Sequence, residues 1–440
     1  MTDQHAAALQ HFVDTADASG LTLIVDTPQG PHLRRIPPAL PLPTHVEHGP
    51  GAEAAAQTAA AAWGMPDFVF QQADHAAKGS GRRELGDRLL LAGQWGAVVQ
   101  VKARTVAPKP DSLETAWIQK VAAKAIRQAK GTVRQLRMAP AVMVNGRDNR
   151  MAVDGHAFEW IAVFLLDHPG VPDQTVPTWQ PPGMPAIALT RRDWDFLFDQ
   201  LRSTTAVLDY LFRAAALPAV PLGDEPVRYY ELAAADVDAL PAPMSPEVKG
   251  LGGVQFSAPQ LPQVPAGADG TRAHLMIRFM LEDIALTPLG ETLDEADRFT
   301  LLSALDWLPV SARAEWGHLL LDMLRDVPRV PEEHCKWRFR RLVDAEGTRQ
   351  VIVGAASRFD SVVQAAFSAY VQLRHVEVCE HTRKAEHTST LGVLLTPRRR
   401  DRRRLWDTTT SYTSGELDIS PEDLQLYRDT WNQTSQDLTG

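Results

Sequence analysis

Apolar residues recur along this chain with two periods, and the order in which those periods alternate predicts an α/β protein. After a helical stretch over 4–17, "LTLIVDT" (21–27) alternates as a half-buried strand does. "AEAAAQTAAAAWG" is alanine-rich and helical, ending at Gly64. "DFVFQQ" is a strand, and "GDRLLLAGQWGAVVQVKAR" (86–104) is a hairpin. A long helix from Ser112 to Leu136 follows, then the buried strand "HAFEWIAVFLLDH", the strand "AIALT" and a helix over "RRDWDFLFDQLRSTTAVLDYLF". The order α-β-β-β-α-β fits a mixed sheet flanked by helices. Helical patterns dominate beyond residue 265, as in "AHLMIRFMLEDIAL". The end returns to α/β with strand "QVIVGAAS", helix 359–378 and strand "STLGVLLT".

Proline clusters divide the chain, since each proline lacks a donor and fixes its own φ. "QGPHLRRIPPALPLPTHVEHGPG" (29–51) reads as a linker, as does the stretch around 215–265, where proline, alanine and acidic residues show little periodicity. The expected domains are therefore an N-terminal helix–strand unit with its linker (1–50), an α/β domain (51–215), a linker (216–265) and a helical then α/β region (266–440).

With 440 residues, 44% hydrophobic and 22% charged, the chain has the size and composition of a multidomain globular protein. No apolar run reaches the length of a membrane span, so no membrane association is expected. The start "MTDQHAAALQHF" does not read as a secretory signal, and two cysteines cannot build a disulfide framework. A cytoplasmic location is the expectation. The net charge of −9 is unevenly spread: residues 78–137 hold 13 Lys or Arg against 4 Asp or Glu, a local +9 that leaves −18 on the other 380 residues. Charge so segregated suggests a surface for a polyanion; a basic solvated face paired with acidic neighbours is the alternative.

The hairpin lies inside that basic segment. Pairing 86–92 with 97–103 through the loop Gly93–Gly96 sets Asp87 opposite Lys102, and Gln100 shares the face of Lys102. Asp87, the Gln100 side-chain oxygen and the Val101 carbonyl can hold a hard divalent cation, Mg²⁺ (or Mn²⁺), and Lys102 can stabilise charge on a phosphate. A surface hairpin with an Asp–Lys cross-strand pair uses the same residues, and the residues alone leave both readings open.

Residues 51–137, with the D-x₁₂-Q-x-K spacing from Asp87 to Lys102, resemble the PD-(D/E)XK, or restriction-endonuclease-like, nuclease superfamily in its Q-x-K variant. The resemblance implies an αβββαβ core over 51–215 within an α/β fold. It implies Asp87 as metal ligand, Gln100 and Lys102 as catalytic residues, and Glu53 as the acid of the first helix. It also implies hydrolysis of DNA, duplex rather than single-stranded, with defence against foreign DNA as the expected setting and a homodimer as the expected state for cutting two strands. The literal "PD" at Pro66–Asp67 is too far from Gln100 to belong to the motif. Glutamine in place of glutamate removes a charge from the metal site, so a catalytically silent DNA-binding or scaffold protein on the same fold is the rival. Glu84 would restore the charge if it turned inward, but reads first as a solvated strand-entry residue.

Asp111 and Glu114 predict a capping box for the long helix. Ile118, Val121, Ala125, Ala129 and Leu136 make its apolar stripe, and Lys120, Lys124, Arg127 and Arg134 a basic row with Gln128 beside it. Lys120, Lys124, Arg127 and Gln128 are the expected phosphate contacts, with a plain solvated face as the alternative. The resemblance implies a Lys, Arg or Gln of this helix at the site, with Lys124 and Gln128 as the candidates. The spacing of Cys335, Cys379, His381 and His387 matches no common zinc pattern, and "PRRRDRRR" (397–404) is a basic run open to phosphate contact or to plain solvation.

Overall fold

The computed structural model describes residues 10–12, 20–43, 45–73, 88–179, 183–239, 261–291, 293–326, 335–344, 346–397 and 406–436. The chain is mixed α/β and divides into two compact units. One comprises Met1–Ala239, Gln260–Ala266 and Leu289–Val310; the other comprises Leu240–Pro259, Gly267–Pro288 and Ser311–Gly440. Among the described residues no helix is long and apolar enough to cross a membrane.

The first unit begins with a three-stranded antiparallel sheet of β1 (Gln10–Phe12), β2 (Leu21–Thr27) and β3 (Gly30–Ile36). Leu21, Leu23 and Val25 are buried, as the alternation predicts. Residues 10–12 are strand and not helix, because pairing with β2, Gln10 opposite Ile24, gives their backbone partners that a short isolated helix would not. Part of the proline-rich stretch is also strand. Pro31 is tolerated in β3 because β3 is an edge, where a missing donor costs no ladder bond.

A seven-stranded mixed sheet follows. It contains β4 (Val69–Gln72), β5 (Arg88–Ala92), β6 (Trp95–Ala103), β7 (Ala141–Asn145), β8 (Arg150–Val153), β9 (Glu159–Asp167) and β10 (Ala186–Thr190) in the order β10-β9-β6-β5-β4-β7-β8. Strands β6, β9 and β10 run parallel, and the other neighbours are antiparallel. The predicted α-β-β-β-α-β order is present as α1 (His48–Trp63), β4, β5, β6, α2 (Asp111–Met138) and β9, with the β7–β8 hairpin inserted before β9. Helix α1 lies on the sheet face of Val99 and Val101 and buries Ala52, Ala56 and Ala60, one per turn. Helix α2 covers the opposite face, where Ile118, Ala122, Ala125, Ala129 and Val133 pack on Leu89, Val98, Phe164 and Leu166. Being internal and parallel, β9 is buried on both faces from Trp160 to Leu166.

The helix predicted after β10 is two helices, α3 (Arg191–Leu201) and α4 (Thr204–Ala215). Arg202 takes a left-handed conformation (φ 54°) that ends α3, and the Ser203 hydroxyl caps α4 by accepting from the Ala206 amide. The stretch read as irregular between 215 and 265 contains α5 (Glu225–Asp238). Its Tyr229 and Tyr230 join Tyr210 and Phe196 in a buried aromatic cluster, a tertiary gain that local periodicity does not display.

In the second unit, α6 (Ala268–Leu286) precedes α8 (Val310–Asp326); α7 (Glu295–Asp306) between them belongs to the first unit. A four-stranded sheet runs β11 (Trp337–Val343), β12 (Arg349–Ala356), β13 (Ser389–Pro397), β14 (Trp406–Ser414). Strands β12 and β13 are parallel and joined through α9 (Ser361–Thr382), the predicted strand–helix–strand. Phe367, Val371 and Trp431, the last from α10 (Pro421–Gln436), close one face.

Candidate functional site

The hairpin turn is tighter than the spacing predicts. Ala92 pairs with Trp95, leaving Gly93 and Gln94 as the loop, with Gly93 at the positive φ (57°) that a two-residue turn requires. Arg88 therefore stands opposite Val99. The shift from the expected pairing is two residues, so no side chain changes face. Gln100 and Lys102 extend from β6 on the face of Val98, and the Lys102 ammonium donates to Gln100 Oε1 at 3.1 Å. Gln100 is buried and Lys102 half-buried. Among the described residues Gln100 Nε2 is buried without a hydrogen-bond partner. A buried amide donor left idle is costly and asks for an acceptor.

The remaining expected residues divide between the faces. Val101 turns its side chain toward α1. Glu53 is half-buried on α1, the face away from Gln100 and Lys102, and its charge acts on Arg88. The Arg88 guanidinium donates to Gln71; burial lowers its pKa and Glu53 opposes that shift. Asp87 and Glu84 lie outside the described residues. Asp67 of the literal "PD" is buried ahead of β4 and paired with Arg147 at 2.6 Å, a tie to the β7–β8 turn.

Lys120, Lys124, Arg127 and Gln128 are all exposed. Lys124 and Gln128 do not point at Gln100 and Lys102 as expected: the positions of α2 that meet the sheet are Ile118, Ala122, Ala125, Ile126 and Ala129, and the basic row is on its outer side.

The expected capping box is absent. Pro110 is the N-cap of α2, with no side-chain bond, and Glu114 turns inward. It accepts from Arg104 Nε and Nη2 (2.9 and 2.6 Å), from the Lys109 amide (2.8 Å) and from His168 Nε2 (3.0 Å). His168 Nδ1 accepts from the Gly170 amide, so Nε2 is the ring nitrogen that donates to Glu114. The Arg104 guanidinium also lies 4.7 Å from the Trp117 ring centre. The Arg104 bonds, ahead of those from His168 and Lys109, hold the Glu114 carboxyl down to about 2 against the opposing effect of desolvation. A carboxyl depressed on folding stabilises above its ordinary pKa of 4.5, and that contribution is withdrawn as pH falls from 4.5 toward 2. The urea midpoint of the wild type should therefore drop more steeply than that of Glu114→Gln across this window; parallel curves would contradict the assignment.

A second ionisable group, spread from residue 48 to 195, gathers at the carboxyl end of β9. His48 Nε2 donates to Asp167 Oδ2 at 2.6 Å, while buried Arg191 donates to Asp167 Oδ1 (3.2 Å) and to the Leu40 carbonyl (2.6 Å). Asp195, one turn along α3, is half-buried and makes no hydrogen bond among the described residues. Its pKa is pushed up to about 6 by desolvation, with Asp167 and Asp193 adding to the shift and Arg191 opposing it. Sequence reasoning missed this group; the only local sign was a polar Asp167 closing an apolar strand.

Among the described residues no three His, Cys, Asp or Glu side chains assemble as a metal-binding group. Gln100 Oε1 is neutral and already accepts from Lys102, so the described donors by themselves do not fit Mg²⁺, which is held through carboxylates. What they offer is donors: an ammonium and an unpaired amide N–H, side by side. No family model, no curated protein and no solved structure matches the chain.

Proposed function

We propose that the first unit is a restriction-endonuclease-like nuclease domain that grips a DNA phosphodiester at Gln100 and Lys102 and hydrolyses it with a divalent metal held through Asp87. The observation that carries the reading is the donor pair: Lys102 within 3.1 Å of Gln100, and a buried Gln100 amide with no acceptor among the described residues. A phosphate oxygen satisfies that amide and meets the ammonium at once. The surrounding topology supports it, with a helix, an antiparallel three-strand meander, a helix and a strand parallel to the third. The exposed basic row of α2 would hold flanking backbone without reading sequence. Duplex DNA as substrate, cytoplasmic location and a role against foreign DNA belong to the same proposal.

One observation favours the rival, a silent DNA binder: the oxygen that a metal needs from Gln100 is taken by Lys102. Incubation of the purified chain with supercoiled plasmid separates the two. The nuclease nicks in Mg²⁺ or Mn²⁺ and stops in EDTA. The silent binder leaves the plasmid intact but retards it in a gel with steep salt dependence. A chain that neither cuts nor retards DNA refutes both.

A further inference from the structure

We propose that β14 is an interface on which a second copy of this chain pairs, edge to edge and antiparallel, about a two-fold axis at Thr410. The inference stands on β14 itself and does not rest on the nuclease reading.

The edges of the described sheets are guarded in ways that keep strands apart. Strand β3 carries Pro31, Arg34 and Arg35, and β11 carries Arg338, Arg340 and Arg341. Strands β1, β8 and β10 are short, with 3, 4 and 5 residues. Strand β14, "WDTTTSYTS", has nine residues, no lysine, arginine, proline or glycine, and a register against β13 unbroken from Trp406 to Ser414. Its only charge, Asp407, is next to its start.

The ladder shows which backbone groups face outward. The Gly415 amide donates to the Thr388 carbonyl, so 415 and 388 form a hydrogen-bonded pair, and bonded pairs alternate from there. Pro397, which has no N–H, accordingly falls opposite Trp406 in a non-bonded pair. The N–H and C=O groups of Trp406, Thr408, Thr410, Tyr412 and Ser414 thus point away from β13, and no hydrogen bond among the described residues occupies them.

This arrangement is self-complementary. Centring the pairing on Thr410 sets 408 against 412 and 406 against 414, so every outward group meets an outward group of the copy. Asp407 meets Thr413, and no like charges oppose one another. A two-fold, isologous contact closes after two chains and leaves no edge for a third. The face beside the edge is apolar as well. Trp406 packs edge-on against Phe279 of α6, yet Phe279 remains 52% exposed, and Leu275 and Leu286 continue its stripe at 37% and 57%. A copy paired at β14 brings its own Phe279 to the same face.

Sedimentation equilibrium of the full chain should show a reversible dimer. Thr410→Lys sets two ammonium groups face to face on the axis, and Thr410→Pro blocks an outward N–H while sparing the β13 ladder. Both should be monomers with unchanged circular dichroism. Should either disturb folding, Thr410→Cys decides: paired Cα atoms about 5.5 Å apart lie within disulfide reach, so mild oxidation should yield a covalent dimer. The parent chain, with Cys335 and Cys379 both free, should give none. A monomeric wild type, a dimer untouched by both substitutions in folded protein, or a Thr410→Cys variant that does not cross-link overturns the proposal.

Discussion

On the proposed reading, Lys102→Ala should cut Mg²⁺-dependent plasmid nicking by at least about a hundredfold while leaving the fold intact, since it withdraws the ammonium proposed to meet the scissile phosphate. Lys102 is half-buried at the C-terminal part of a central strand, and its ammonium is 3.1 Å from Gln100 Oε1. Trimming it frees a buried amide oxygen, so some stability is lost along with the charge. Lys102→Arg keeps the charge without the ammonium's compact geometry and should recover binding more than rate. Gel retardation supplies the second readout: loss of one phosphate contact lowers the salt slope by about one unit.

Gln100→Glu moves the balance the other way. It adds the carboxylate that the described donor set lacks and should lower the Mg²⁺ concentration needed for half-maximal nicking. Equal nicking by wild type and Lys102→Ala would remove Lys102 from the site. Inactivity of wild type and Gln100→Glu alike, with DNA still bound, would leave the silent binder standing.

The parts of this fold legible in the sequence are those with local causes. The alanine stripe of α1 and the apolar row of α2 appear at helical spacing because one face of each helix meets the sheet. The hairpin, with Gln100 and Lys102 on one face of β6, was legible because strand alternation survives a two-residue error in register. Where a distant partner decides, the local pattern misleads. Asp111 and Glu114 have capping-box spacing, yet Arg104 and His168 draw Glu114 inward and four donors outweigh one reciprocal cap. Arg202 breaks α3 from α4 in a left-handed conformation that glycine would have announced; there the signal was Ser203, a good N-cap in mid-pattern. The β7–β8 hairpin had its own sign, the Asn145–Gly146 pair between two apolar runs. The His48–Asp167–Arg191–Asp195 group had only the polar Asp167 closing an apolar strand, because its members meet only after the parallel strands align.

Gly392→Val should unfold the second unit, and Gly392→Ala should cost it about 1–3 kcal/mol, both through overpacking. Gly392 is on β13, internal to its sheet, where Val371 and Phe367 of α9 pack against it. A Cβ there would be 2.3 Å from Val371 Cγ2 and 2.8 Å from Phe367 Cζ, both fully buried. Neither side chain has room to retreat: Phe367 stacks on Phe339, whose own ring sits 2.3 Å from where a Cβ on Gly354 would be. The two glycines thus form a flat floor for rings and a helix, and adding one methyl lifts all of them together. Gly131 of α2 supplies the opposite sign in the same assay. A Cβ there meets nothing within 4 Å, so Gly131→Ala should gain about 0.5–1 kcal/mol from helix propensity alone. Urea unfolding followed by circular dichroism reads both, and a Gly392→Ala variant as stable as the wild type would mean that α9 does not rest on β13 as closely as described.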